Sequence, residues 1–578
     1  MGGFERFLRT TVGALEQLAV NAQNHNASSS SSNVHQQQPM HYNPPVAAQP
    51  TTSAPIPQYF NNAPFSSLVY PAPDGNLVYR PYTEKGDRII DFSSAGYNEG
   101  WTPLPDNVKV ARILDPNPGN DNDDDATRIQ DAINDVATMP MDQGTGFRGA
   151  VRLNPGTYRL GHPIEINASG IVLQGDPQGG TVLEATTDPL NTPHIFKIQG
   201  EPNVMAKKRV PVVDDYVPAG AYQLRVRDKG RFNVGDSVLV GVAFNDTFIK
   251  AIGMDVIHPK GNTAKNNGWK PGRFEHHRRV IRVDNDVITL NAPLTTSLSK
   301  EFGGGFVEKY DNRRVHHVGL EYFECRFPAN RDRGPDAITA SQPKNKKVKD
   351  YRFADEMFDH LMVAMDHAEN CWIRQVRSVW WRNYARLGTN TVAVTMHQCH
   401  HTFPQPPSND PKKPMPLVGQ FAFEISGQLI LIEHCHVEYS FHAYSYKGRV
   451  PGPNVVYQSD CVARNGDVGP HMKWSSGQLY DNCNIEGQMI IQDRFDAGSG
   501  HGWSGAHSVV WNTVAHAGMI VQKPPVGHNF LIGSSSKRAK ARMPQHPWAW
   551  EEHPDTKVNP PSLYVAQLSQ RRRHTPPM

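Results

Sequence analysis

Imidazoles, cations and carboxylates crowd one stretch of this 578-residue chain. His442 and Lys447 lie in YSFHAYSYKGR, Asp467, His471 and Lys473 in NGDVGPHMKW, and Asp493, Arg494 and His501 in IIQDRFDAGSGHGW. An imidazole can carry a proton near neutral pH, and lysine or arginine can offset a developing negative charge. Counted from the nearest preceding cysteine, Arg382, Lys447, Lys473 and Arg494 fall 11 or 12 residues on, a column of cations if each cysteine marks one place on successive turns of chain. Like charges at strand spacing repel unless anions or neighbouring carboxylates compensate, so an acidic ligand explains such a column. The competing reading scatters these residues over separate solvated faces through unequal loops. Cys399 breaks the column, because the same count reaches Asp410 in the Pro-rich FPQPPSNDPKKP.

Such a column needs a frame of stacked strands. With 47 glycines and 47 prolines, the chain is rich in turns and short strands, and a purely helical fold is excluded. DNDDDATRIQDAINDVATM predicts an amphipathic helix with Ile129, Ile133 and Val136 on one face and aspartates at its start. Short β-prone runs follow in GAVRLNPGTYRL, HPIEINASGIVLQGD and GTVLEATT, separated by Pro-Gly, Ser-Gly and Gly-Gly turns. Five of the six cysteines recur after a polar residue beside such a run: AENCWIRQV, MHQCHHTF, IEHCHVEY, QSDCVARN and YDNCNIEG. Spacings of 26 and 22 residues between Cys435, Cys461 and Cys483 match one turn of a β-solenoid, with Thr513 continuing the series. The expectation is an inward ladder of small side chains at about 4.8 Å, with no need for disulfides. No CxxC pair occurs, so zinc is not expected.

The expected organisation has five parts. Residues 1–64 form a disordered extension with a short amphipathic helix (Phe4, Leu8, Val12, Leu15), and residues 65–205 form a cap and the first coils. Residues 206–300, with VPAGAYQLRVRDKGRFNVGDSVLVGVAF and HHRRVIRVDNDVITLNAPL, form an inserted antiparallel subdomain, expected either to wall a cleft or to elaborate the scaffold. Residues 301–540 carry the main coils and 541–578 a C-terminal segment. The formal charge of +3 gives no global field for nucleic acid. No run reaches the roughly 20 apolar residues of a membrane span. Glu16 and Gln17 interrupt a secretory core, so the location expected is cytoplasmic or reached by a non-classical route.

DDDATRIQDAINDV followed by GAVRLNPGTYRL and SGIVLQG resembles the opening of the pectate-lyase superfamily. GPHMKWSSGQLYDN, GSGHGWSGAHSVVWN and PSLYVAQLSQR resemble a bacterial and fungal branch of it, and the resemblance runs from about residue 86 to 571. It implies an all-β fold, a single-stranded right-handed parallel β-helix with an N-terminal capping helix, here carrying the inserted β subdomain. β-Helices of this type include lyases, hydrolases, epimerases and non-catalytic binders, and it is the column of cations that points to an acidic polysaccharide.

On that basis the expected reaction is β-elimination, which needs a base for the C5 proton, cations on the uronate carboxylate and a proton for the leaving oxygen. His471 and Lys473 are the base candidates, Arg494 and Lys447 the carboxylate partners, and His501 the donor to the leaving group. His442, Arg449, Arg382, Asp493 and Trp381 are candidate substrate contacts. The calcium sites of the superfamily do not carry over: Asn454 in RVPGPN replaces an arginine of its RxPxxR element, and Arg374 stands where an aspartate is usual. A divalent cation such as calcium is left open, and no metal ligands are assigned. Two other readings compete. One is an inverting hydrolase using Asp467 and Asp493 (with Asp496 also at hand), whose carboxylates would stand roughly 6.5 to 9.5 Å apart. The other is a non-catalytic glycan binder using Trp380 and Trp381. Asp359, His360, Asp366 and His367 in DHLMVAMDH look metal-like, but strand alternation sends neighbours to opposite faces.

Overall fold

The computed structural model describes residues 59–573 except 119–123, 187–193, 229, 260–261, 328–360, 404–418 and 463–465. The expected N-terminal helix, Asp359, His360 and Asp410 lie outside the described residues. The rest is an all-β, right-handed parallel β-helix, in which each coil visits three sheets in turn. One coil shows the plan: Pro451–Tyr457 lies in the first sheet, Asp460–Val462 in the second and Asp467–Pro470 in the third. Ser475–Asp481 then returns to pair in parallel with Pro451–Tyr457. The helix Asp125–Thr138 covers the open end, with Ile129, Ile133 and Val136 packed on the first coils. Asp124 caps it by accepting the Ala126 amide at 2.9 Å.

The interior ladder is real but is only partly made of cysteine. At the corner between the first and second sheets, Cys435 Sγ faces the Cys399 amide at 3.4 Å and Ser459 Oγ accepts the Cys435 amide at 3.1 Å. Further along, Thr513 Oγ1 accepts the Cys483 amide at 3.1 Å and Ser534 Oγ that of Thr513 at 3.0 Å. Ser459 thus takes the place expected for Cys461, which pairs instead with Val437 and Ile485 inside the second sheet. Cys325 and Cys371 also sit within strands, and all six thiols are free and buried.

The residue before each ladder position makes the corner. Gln398, His434, Gln458, Asn482, Asn512 and Gly533 all hold φ between 41° and 64°. That left-handed kink costs about 1–2 kcal/mol at a non-glycine residue. It turns each amide onto a carbonyl of the next coil, as in Asn482 N to Trp511 O at 2.9 Å. The outer face of the first sheet is covered by segments from both chain ends. Ile89, Ile90 and Phe92 pack with Leu563 and Tyr564 over Val455, Leu479 and Val509. The terminal helix Leu563–Arg573 is tied down by Asp481, whose Oδ2 accepts from Ser562 Oγ at 2.7 Å and from the Tyr564 amide at 2.8 Å.

The insertion runs from Val204 to Asp311 and is built of antiparallel strands around Val210, Val238, Val240, Val280 and Leu290. Its sheet starts at Val204–Pro211 and ends at Gln223–Arg225, and a Val212–Val226 bridge closes it into a barrel. The coil stack is unbroken by it, since Gly319–Glu321 pairs directly with Ile171–Gln174. Contacts with much later coils hold the barrel in place. Arg278 is buried and donates to Gly452 O at 2.8 Å, and Phe248 and Trp269 share a core with Trp474 and Trp503. No described helix is long and apolar enough to cross a membrane.

Candidate active site

Three successive strands of the third sheet, Gly419–Ile425, Ser440–Tyr446 and Asp467–Pro470, set Phe421, His442 and Asp467 in one row. In the first two, consecutive residues enter the core, Ala422 with Phe423 and Ala443 with Tyr444, so strict alternation fails. That break turns Phe421 and His442 outward. His442 Nδ1 meets Asp467 Oδ1 at 2.5 Å, and the other carboxylate oxygen lies 3.7 Å from Arg494 Nη2. Asp467 therefore sits between an imidazole and a guanidinium. No described residue bonds His442 Nε2.

The turns that follow these strands supply the other groups. Lys447, His471 and Arg494 each come directly after a third-sheet strand or within three residues of it. Arg494 Nη1 donates to His471 Nδ1 at 3.2 Å. The His471 ring lies 4.5 Å from His442 and 4.8 Å from His501, centroid to centroid. Phe421 stacks on His442 at 4.8 Å with planes 29° apart, and Lys447 Nζ stands 4.4 Å over the same ring. Lys447 also pairs with Glu424 at 3.1 Å, and Arg386 with the other Glu424 oxygen at 2.9 Å. Lys473, close enough to act on His501, has no carboxylate partner among the described residues.

Charge and burial decide the protonation states. Burial alone would raise the Asp467 carboxyl, but the facing His442 and Arg494 override it and hold it below its ordinary value. Burial, then His442, Arg494, His501 and Lys447, hold His471 far below the usual histidine range. Burial, then Arg494 and Lys473, push His501 down to about 4. Two imidazoles thus stay neutral at pH 7 in a cluster where cations outnumber carboxylates.

His501 sits in a loop closed by the Asp493–Trp503 bridge. Gly498 is forced there, with φ of 53°, because a Cβ would come within 2.2 Å of the His501 ring. The inserted barrel props this loop: Trp269 Nε1 donates to Gly500 O at 3.0 Å. The insertion thus buttresses the loop, a role distinct from the two left open for it.

Several expected site residues lie elsewhere. Asp493 is 1% exposed, and its carboxylate accepts from the Phe495 amide at 2.7 Å and meets His546 Nε2 at 3.0 Å. It does not join Asp467, and burial raises its pKa. Asp496 is held by Arg542. Arg449 lies over Phe244 of the insertion at 4.5 Å and donates to Lys270 O, so it is a docking residue. Trp381 is a core residue whose indole donates to Cys325 O at 3.2 Å, the usual end of a tryptophan in a short-stranded solenoid. Trp380 packs edge-on against Phe403 at 6.0 Å. Arg382 precedes its strand, unlike the other three cations, and donates to Gln420 Oε1 at 2.6 Å. Phe421 and Glu424 were missed, since the Pro-rich segment before GQFAFEI destroyed the cysteine count there, and Arg386 was missed because it falls 15 residues after Cys371 rather than 11 or 12.

The departures from the calcium motifs have structural roles. Asn454 is a fully buried amide bridging Ile430 N and Gln478 Oε1, and Arg374 is bound by Glu321 of the neighbouring first-sheet strand and by Asp106. Among the described residues, no three His, Cys, Asp or Glu side chains are placed to hold a metal ion.

The architecture defines a right-handed parallel β-helix protein with a polar cluster on its third sheet. No family model matches the chain, and no curated protein does. Among solved structures it is similar to the tailspike protein gp49 from Pseudomonas phage LKA1, at 12% identity and a TM-score of 0.36 over 71% of this chain. The match covers 56% of that tailspike's own length. It is also similar to a polygalacturonase from Erwinia carotovora ssp. carotovora, at 10% identity and a TM-score of 0.31 over 76% of this chain and 84% of that one. A third is the A-module of the Azotobacter vinelandii mannuronan C-5 epimerase AlgE4, at 10% identity and a TM-score of 0.28 over 71% and 78%. These likenesses concern fold.

Proposed function

We propose that the protein is a carbohydrate-active enzyme that cleaves an acidic, uronate-containing polysaccharide by β-elimination at this cluster. The observation that carries the proposal is the cation-rich cluster in which His471 and His501 stay neutral beside a His442 oriented by Asp467. An imidazole backed by a carboxylate is a better base than one surrounded by cations, so the base is His442 rather than His471. His442 Nε2 takes the proton from C5; the released electron pair forms the C4–C5 double bond as the bond from C4 to the leaving oxygen breaks. Arg494 and Lys447 offset charge on the uronate carboxylate, which makes C5 acidic enough to lose its proton. Lys473, a cation without a carboxylate partner among the described residues, supplies the proton for the leaving oxygen. His471 and His501 serve as neutral hydrogen-bonding groups beside them.

Inverting hydrolysis would need a second carboxylate facing Asp467, and the Asp493 carboxylate is committed to His546. The test is ultraviolet absorbance of the unsaturated uronate during incubation with a panel of acidic polysaccharides. A rise that disappears in His442→Ala is the expected result. Reducing ends without absorbance would replace elimination with hydrolysis, and binding without cleavage across the panel would replace catalysis with recognition.

A further inference from the structure

The stretch from Asp493 to Trp503 brings Arg494 and His501 into the cluster, yet much of what fixes it lies outside the site. Its own amides close it: Arg494 N to Gly502 O at 2.8 Å, Ala497 N to Arg494 O at 2.9 Å and His501 N to Ala497 O at 3.0 Å. Those turns are short and glycine-rich, and alone they leave the loop many conformations. The inserted barrel holds one side through Trp269. The other side meets a segment some 50 residues later in sequence. There His546 Nε2 contacts Asp493 Oδ2 at 3.0 Å while its ring lies 4.7 Å from Trp503, so one histidine touches both stems of the loop. Arg542 Nε reaches Asp496 Oδ1 at 3.1 Å, and its amide donates to Gln492 Oε1 at 2.8 Å. Gln522 ties the same place together, accepting from the Asp493 amide at 3.2 Å and donating to Met543 O at 2.8 Å.

We infer that Asp493 and His546 are positioning residues: their contact latches the C-terminal segment onto the loop and sets Arg494 and His501 at the distances the reaction needs. Asp493 acts through its neighbour Arg494, and neither latch residue touches substrate. This rests on the elimination reading for its catalytic consequence but not for the latch itself. Displacement of a reacting group by about 1 Å costs on the order of a hundredfold in rate. His546→Ala is therefore expected to lower kcat by about 10- to 100-fold with KM changed less than about threefold. His546→Gln keeps an N–H that can reach Asp493 and restores most of the rate.

The second readout is hydrogen exchange of the 494–502 amides in the full chain, which needs no substrate. Faster exchange there in His546→Ala, with the coil amides of Ser475–Asp481 unchanged, is the expected result. Should that variant fold poorly, Asp493→Asn, which keeps an acceptor for Phe495, takes its place. Unchanged exchange over 494–502 overturns the latch, whatever the enzyme does. Faster exchange in a protein that cleaves no polysaccharide upholds the latch and removes the elimination reading instead.

Discussion

His442 and Asp467 are 25 residues apart in the chain and 2.5 Å apart in space, Nδ1 to Oδ1, on adjacent coils of the third sheet. The contact orients the imidazole, since a carboxylate facing Nδ1 favours the tautomer that carries its proton there. His442→Ala is expected to reduce turnover by about 10²–10⁴-fold, and Asp467→Asn by a smaller factor in the same direction. Initial rates of uronate absorbance, with thermal melts to verify folding, make the comparison.

Arg494 is shared between Asp467 and His471, a fork geometry that an ammonium cannot copy. Arg494→Lys should keep the charge and lose most of the activity, while Arg494→Ala should also weaken binding of an acidic oligosaccharide. Isothermal titration at low and high salt distinguishes the two, because the charge contribution shrinks as ionic strength rises.

His501 ionises in the unfolded chain near its ordinary 6.5 but in the folded protein only near 4. Between those values the unfolded state binds more protons, so stability is fully present above pH 6.5 and is lost as pH falls toward 4. His501→Gln should flatten this part of the melting profile, and the His501 ring resonances should titrate near pH 4 in nuclear magnetic resonance spectra.

Asp481 behaves in the opposite sense. Burial lifts its carboxyl from 3.8 to about 7, so the folded state holds a proton that the unfolded state has released, and stability falls as pH rises from about 4 to 7. Asp481→Asn should remove that slope, and melts at pH 5 and pH 8 measure it.

The corner ladder predicts a cost for a nearly isosteric change. Thr513→Val leaves the buried Cys483 amide without its acceptor and should destabilise the fold by about 1–3 kcal/mol. Denaturant titration reads the loss.

The coils were legible because their signals are local and repeated. DDDATRIQDAINDV supplies a capped apolar face, and one small side chain recurs at each corner. The ladder was misread at Cys461 because the decisive feature is a left-handed residue three positions earlier, Gln458, whose type gives no hint of its φ of 41°. The histidine cluster was legible as a concentration of residues, and His442, His471, Arg494 and His501 do converge. Its internal division of labour was not legible. Asp467 and Asp493 look alike in sequence, each beside a glycine-containing turn, and what separates them is contact with His442 in one case and with His546 in the other. Arg449 and Trp381 were misplaced for a related reason: docking to an inserted barrel and burial inside a coil depend on partners about 180 and 56 residues away.

The position of the barrel in the chain has a kinetic consequence. Its strands precede the coils they lean on by roughly two hundred residues, as the separation of 231 between Trp269 and Gly500 shows. The coils can zip together by nearest-neighbour steps, and the barrel can close on its own hydrogen bonds, but neither event brings Trp269 to the His501 loop. That meeting waits until the last coils are laid down. The scaffold is thus complete before the His501 loop is seated, and a chain halted late in folding would be ordered yet lack that arrangement.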